Sequence, residues 1–382
     1  MSLPTALLPE CLPRHGTEVS TPRIREEGPV TSELVRRGAF AGHPFVLADV
    51  GASGGIGQHW RQFEPALKAF GFDPLIRECE RLNAAEKNKS ITYHDYFVGF
   101  DDYSSLFPAD SRNGWSNQPF ERTSASRAQR QQSMSQAQWF NNQNPDVVLT
   151  QRRTSLDKFF ADFLDVKVDF IKIDTDGHDY EVLCGAERVL DRHGVLGLFV
   201  ESQFHGVSHP HSNLFSNIDR FLRERGFSLF DLEIYRYTRS VLPGHFVYNI
   251  PAQTREGQVL AGDALYLCDL AAPGYEDRWG MLASEKLLKL ACLFEIFGLP
   301  DCAAELIVMK RPEMAQWMNV DEVLDGLARQ IHPARANFAE LDRLFASSVK
   351  TFYPHAAKER IAQSLPRPIR RVLSSIKRRL QI

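Results

Sequence analysis

The stretch that most restricts the fold is Asp169-Phe170-Ile171-Lys172-Ile173-Asp174-Thr175-Asp176-Gly177-His178-Asp179-Tyr180-Glu181. An apolar run stops abruptly at acids, a glycine and a histidine, and an amphipathic segment follows. That pattern predicts a buried strand over 168–174 whose carboxyl end delivers charged side chains. In an open α/β sheet, ligands sit in the crevice beyond such strand ends, so the stretch is a candidate site as well as a strand.

The same layout occurs upstream. Residues 45–50 are apolar enough for a short strand, and Gly51-Ala52-Ser53-Gly54-Gly55-Ile56-Gly57 makes a turn opening a helix that carries Trp60 and Phe63. A second strand is expected over 66–72, closed by Asp73-Pro74. A helix follows over 76–88, with Pro74 suiting its first turn, and a third strand over 91–100. Beyond a polar stretch, 155–164 predicts a helix, 180–192 another, 195–201 a strand, 213–225 a helix, and 226–232 and 264–269 two more strands. Seven strands alternating with helices predict an α/β fold, a mostly parallel sheet covered on both faces.

The remaining segments set the domain plan. Residues 1–43 carry Pro4, Pro9, Pro13, Pro22 and Pro29 without a sustained period, and are expected to be an extended or poorly ordered lead-in. The main domain spans 44–272, with the polar insert 104–150 as a lid or a disordered loop. Residues 273–365 show apolar spacing of three and four throughout, which predicts an all-helical extension. The tail 366–382 is basic (Arg367, Arg370, Arg371, Lys377, Arg378, Arg379) with Ile369, Val372, Leu373, Ile376 and Leu380 on one helical face. It would make peripheral contact with an anionic membrane surface, or cap the helical domain.

Bulk properties narrow the function classes. A net charge of only −3 gives no electrostatic case for nucleic acid as a partner. Six scattered cysteines without a C-x-x-C pair suit reduced thiols in the cytoplasm, and no run reaches the roughly 20 apolar residues of a membrane span. A glycine loop between strand and helix favours a nucleotide-like ligand, and Asp73 would bind a ribose hydroxyl in either a nicotinamide or an adenosylmethionine enzyme. The short-chain dehydrogenase alternative needs a Tyr-x-x-x-Lys, and no tyrosine here has a lysine four residues on.

Three motifs together resemble the FkbM family of S-adenosylmethionine-dependent methyltransferases: 48–57, the turn 72–83, and Thr154-Ser155-Leu156-Asp157 followed by 169–185. The likeness spans about 45–269. It departs at Asp73, where glutamate is usual, and at Thr175-Asp176, where valine and glutamate are commoner. The resemblance implies a Rossmann-like seven-stranded sheet and methyl transfer from S-adenosylmethionine to a hydroxyl of a sugar, glycan or related metabolite. Carried over by position, Gly51, Ala52, Ser53 and Gly54 would lie against the methionine end of the cofactor. Asp73 with Pro74 would form the ribose-binding turn, Asp49 would organise the loop, and Ser104 and Ser105 would line the adenine side.

Methyl transfer is an in-line displacement and needs a proton acceptor beside the acceptor hydroxyl. Asp174 is the candidate for orienting cofactor or acceptor. His178 and Asp176 are rival bases, with His178 slightly preferred for its near-neutral pKa. Glu201 and His205 are second-rank catalytic candidates, while Asp179 and Glu181 suit the start of a helix. A magnesium site from Asp174, Asp176, Glu201 and His205 is set aside, since their spacing matches no metal-binding pattern. The competing class is a non-catalytic Rossmann-fold carrier that binds glycan or a partner enzyme.

Overall fold

Phe45–Val50 forms β1 and is buried along its whole length, which requires cover on both faces of the sheet. In this computed structural model, which describes residues 24–100, 136, 149–206, 209–247, 253–272, 282–332 and 337–347, β1 lies inside a seven-stranded sheet. On one side run β2 (Leu67–Asp73) and then β3 (Ile91–Asp95), both parallel. On the other side run β6 (Phe170–Ile173) and β7 (Gly197–Gln203), again parallel. Beyond them β9 (Gln258–Cys268) pairs antiparallel with both β7 and the edge strand β8 (Phe227–Tyr237). The order β3-β2-β1-β6-β7-β9-β8 is the expected seven-stranded, mostly parallel Rossmann-like sheet, with β9 alone reversed. A short parallel pair, β4 (Phe97–Val98) and β5 (Arg153–Thr154), completes the strands described.

The chain moves outward from β1 through β2 and β3, then returns to β6 on the opposite side. This reversal opens a crevice at the carboxyl ends of β1 and β6, the place where such sheets bind ligands. Helices α2 (Ile76–Ala85), α3 (Leu156–Ala161), α4 (Asp179–Cys184), α5 (Glu187–Arg192) and α6 (Phe215–Glu224) supply the connections. Ser155 caps α3 by accepting the Lys158 N–H at 3.2 Å.

Three local expectations are corrected. The helix expected after the glycine turn is a 3₁₀ helix over Gln58–Phe63, with Trp60 and Phe63 buried. The helix predicted over 180–192 is broken between α4 and α5. Gly185 ends α4, and a Cβ there would stand 1.9 Å from the Gly99 carbonyl oxygen. Within the lead-in, Pro29–Arg36 folds as helix α1, with Val30, Thr31 and Leu34 buried.

Helix α1 packs on α7 (Ser284–Ile296), and α7 ties the amino ends of the strands together. Glu295, fully buried, accepts the backbone N–H groups of Val30 and Thr31 and the Thr31 hydroxyl at 2.8–3.0 Å, satisfying donors at the start of α1. Asp169, also fully buried, accepts the Val46 N–H at 2.8 Å and is paired with Lys286 and Lys289, both at 2.7 Å. Lys289 also donates to the Pro44 carbonyl, and Lys286 to those of His193 and Gly194. Burial holds the Lys289 pKa below its ordinary value despite Asp169 beside it.

These elements belong to one compact unit, Met1–Leu299; Pro300–Ile382 is a second. In the second, α8 (Pro300–Met309), the short α9 (Arg311–Met314), α10 (Val320–Ile331) and α11 (Phe338–Ser347) confirm the predicted helical character. Helix α8 packs on α10, which packs on α11. Asn319 caps α10, and Asp325 accepts the Phe338 N–H at 2.8 Å.

Candidate active site

The glycine turn after β1 is shaped by backbone contacts. Gly51 has φ +84°, and a Cβ there would lie 1.8 Å from the Asp174 carbonyl oxygen, so no larger residue fits. Its N–H and that of Ala52 donate to the Phe72 carbonyl at 2.9 and 3.0 Å. The N–H of Gly54 is taken by Glu78 at 3.0 Å, and the hydroxyl of Tyr93 accepts that of Ile56 at 3.1 Å. The turn is therefore held open by its own neighbours. The expected row of N–H donors at an α-helix N-terminus is replaced by a 3₁₀ start.

Two carboxylates face this turn. Asp49, at the end of β1, is 5% exposed, and its Oδ1 accepts no hydrogen bond among the described residues. Lys172 Nζ stands 3.4 Å away. Burial pushes the Asp49 pKa up to about 6 even though Lys172 acts to lower it. Asp73, at the end of β2, is also 5% exposed; it accepts the Leu75 N–H at 2.8 Å, and burial raises its pKa. Pro74 follows in the turn leading to α2, and its carbonyl accepts the Thr150 N–H at 2.9 Å. A buried carboxyl oxygen without a donor and an acid at the β2 terminus suit the amino and ribose hydroxyl groups of an adenosyl cofactor. Ser104 and Ser105 lie outside the described residues.

The β6 turn carries the other half of the site. Asp174 is half-exposed, with Lys172 Nζ 3.3 Å from its Oδ2. Asp176 has φ +54° and Gly177 φ +109°, a left-handed pair that turns the chain sharply into α4. This turn is braced from below by Asp179, fully buried, which accepts the Thr175 N–H and hydroxyl at 2.9 Å and the Asn213 side-chain amide at 2.8 Å. The sequence marks Asp179 only as a helix-start residue; it is also the turn's internal support. His178 precedes α4, largely exposed, with Nδ1 3.3 Å from Glu181. That hydrogen bond raises its pKa, and Arg153 is among the charges it senses.

Further acids join from the next strands. Glu201 on β7 and Asp263 on β9 are register partners, and Glu233 on β8 pairs with Asp263, so three carboxylates form a row across three strands. Burial pushes Glu201 up to about 9, and Asp179, Asp174, Asp176 and Asp263 push it in the same direction. Burial likewise lifts Asp263 to about 6 and Glu233 to about 7, and the Tyr235 hydroxyl donates to Asp263. For Asp176 at the mouth, desolvation and then Asp174 raise the pKa. His205 lies apart from the row, its Nδ1 3.0 Å from the Leu260 carbonyl, which fixes the proton on that nitrogen. No group of three or more His, Cys, Asp or Glu side chains among the described residues is arranged to hold a metal ion.

Asp263 and Tyr235 fall in no motif, and Lys172, though inside the 169–185 motif, is given no role by it. The signal for Lys172 is its place two residues before Asp174 on the same strand face. Asp263 falls one residue ahead of the strand expected over 264–269, whereas β9 already begins at Gln258.

A parallel sheet with one reversed strand beside the edge, an open crevice at the β1/β6 reversal, a glycine turn and a β2-terminal acid define a class I methyltransferase. Residues 49–229 match the methyltransferase FkbM domain, and that stretch is similar to the FkbM methyltransferases. The methyl donor of that family is S-adenosylmethionine.

Among solved structures, the magnesium protoporphyrin IX methyltransferase of Synechocystis PCC 6803 is similar at 10% identity, covering 63% of this chain and 77% of that one, with a TM-score of 0.27. The precorrin-6y C5,15-methyltransferase of Geobacter metallireducens GS-15 gives 10% identity, 60% and 86% coverage, and 0.27. A putative methyltransferase of Thermobifida fusca YX gives 13% identity, 63% and 80%, and 0.27. None of the curated proteins compared matches the chain.

Proposed function

We propose that this protein is an O-methyltransferase acting on a hydroxyl of a sugar, glycan or related metabolite. The observation carrying this reading is the acidic wall beyond β6, β7 and β9: Asp174, Asp176 and Asp263 offer acceptors to a polyhydroxylated ligand and repel an anionic one, and the Glu201 carboxyl adds a donor. S-adenosylmethionine, when bound, supplies an electrophilic methyl group on a sulfonium. Asp73 would hold the ribose, and Asp49 and the Gly51–Gly54 turn the methionine end.

Asp176 is the proton acceptor favoured by its surroundings. It shares the electrostatic field of Asp174, Lys172 and Asp73, and its raised pKa makes it a better base than an ordinary aspartate. His178 is drawn towards Glu181 and senses Arg153, which suits a role in setting the β6 turn beside the β4 and β5 strands. Glu201, protonated at neutral pH, would donate a hydrogen bond to the acceptor. The basic tail 366–382 lies outside the described residues, and its contact with an inner membrane surface stays part of the proposal. No helix among the described residues is long and apolar enough to cross a membrane.

Transfer of a labelled methyl group from S-adenosylmethionine to a panel of neutral, amino and acidic sugars tests the reading. Product should form on hydroxyls of neutral sugars, and transfer only to nitrogen or carbon acceptors would sink it. With a working acceptor, Asp176→Asn should lower turnover by about 10²–10⁴-fold at unchanged cofactor affinity, as expected for loss of a general base. His178→Ala should stay within about tenfold of wild type; the reverse ranking would make His178 the base.

A further inference from the structure

We infer that Lys172 is a positioning residue for the transfer reaction: its ammonium clamps the β1 turn to the β6 turn and serves as counter-ion to the crevice carboxylates. This inference rests on the cofactor reading given above.

The geometry is that of a three-way tie. Lys172 pairs in register with Asp49 across the parallel β1 and β6 strands, at the reversal point of the sheet. Its Nζ donates to the Gly51 carbonyl at 2.7 Å and stands 3.3 Å from Asp174 Oδ2 and 3.4 Å from Asp49 Oδ1. The ammonium donates to the glycine turn and is ion-paired with carboxylates at the ends of β1 and β6. The side chain is 21% exposed, so these contacts are only partly screened by solvent.

The charge has wider reach than the contacts. Lys172 acts on Asp73, Asp176 and Asp263 as well as on Asp49, and on each it favours the ionised form. Around Asp49 the facing groups are Lys172 and Asp174 from β6 and Asp73 from β2, so among the described residues Lys172 is the cation opposing two acids there. Flanked by Asp49 and Asp174, Lys172 has its own pKa raised, so it stays protonated and takes no proton from the acceptor. Its work is to fix two turns and keep Asp49 a carboxylate.

The test compares Lys172→Met, Lys172→Arg, Asp49→Asn and the Asp49→Asn/Lys172→Met double variant in the full-length protein. Amide exchange over 49–57 is followed without ligand, and S-adenosylmethionine affinity is measured between pH 5.5 and 9. Lys172→Met should speed exchange of the Gly51 and Ala52 amides at least about tenfold and weaken affinity at least about tenfold, while Lys172→Arg should recover most of both. Wild-type affinity should fall as pH drops through about 6. In Lys172→Met that fall should begin about one pH unit higher or more, because the uncompensated Asp49 protonates earlier.

In the double variant the loss should be smaller than the two single losses multiplied, since each single change strands the other's charge. Exchange and affinity of Lys172→Met both within twofold of wild type would overturn the inference, as would Lys172→Arg failing as badly as Lys172→Met. If Lys172→Met does not fold, Lys172→Gln, which keeps donors without the charge, makes the same comparison. A wild-type protein that binds no S-adenosylmethionine would sink the cofactor reading, and the role in transfer with it. In that event the exchange data alone would still show whether Lys172 holds the turn.

Discussion

The two edges of the sheet bury similar charges and treat them in opposite ways. At the amino edge, Asp169 is matched by two lysines and a backbone N–H, and Glu295 by two N–H groups and a hydroxyl. At the carboxyl edge, Asp49 has an oxygen with no hydrogen bond among the described residues, and burial, with neighbouring acids adding to it, lifts the pKa values of Glu201, Asp263 and Glu233 to about 9, 6 and 7. A charge that serves structure is surrounded by partners from its own chain. The charges at the carboxyl edge are left short of them, and the cost falls on the stability of the folded state.

The largest effect that could break this contrast is at the amino edge. Asp169→Ala leaves Lys286 and Lys289 without their carboxylate and should cost about 3–5 kcal/mol in chemical denaturation. A loss below about 1 kcal/mol would mean the saturated edge is not structural. Next comes the cofactor side, where Asp73→Ala should weaken S-adenosylmethionine binding by about 10–100-fold in calorimetry, the loss of charge-assisted hydrogen bonds. Unchanged affinity would remove Asp73 from the ribose site.

The smallest effect sharpens the comparison through pH. Glu201 has its pKa in the folded protein raised to about 9 from the ordinary 4.5, so its protonated form is the one that folding favours. Its contribution to stability is present below about pH 4.5 and is lost as pH rises towards 9. Glu201→Gln, which cannot ionise, should therefore match wild type at about pH 4 and melt about 2–4 °C higher at about pH 8, near 1 kcal/mol for a unit of this size. A Tm no higher than wild type at that pH would show that Glu201 is ionised without penalty.

Much of this architecture is legible in the sequence. Period and punctuation locate the seven sheet strands, because Phe45–Val50 and Phe170–Ile173 are buried almost throughout and so read as largely apolar runs broken only by Asp49 and Lys172. The acids at 174, 176 and 201 are legible for the same reason, each following such a run. What escapes is set by distant partners. Helix α1 depends on Glu295, some 265 residues away, and nothing local marks Pro29–Arg36 as helical. The need for glycine at 185 depends on the Gly99 backbone, and the importance of Asp263 on a register partner 62 residues earlier, Glu201.

The near contact between Gly51 and the Asp174 carbonyl also bears on how this enzyme could be altered. With no room for a single methyl group between them, the two turns form one inherited part. Grafting a glycine turn from another methyltransferase, or lengthening the 174–178 segment to admit a bulkier acceptor, would have to exchange both turns at once.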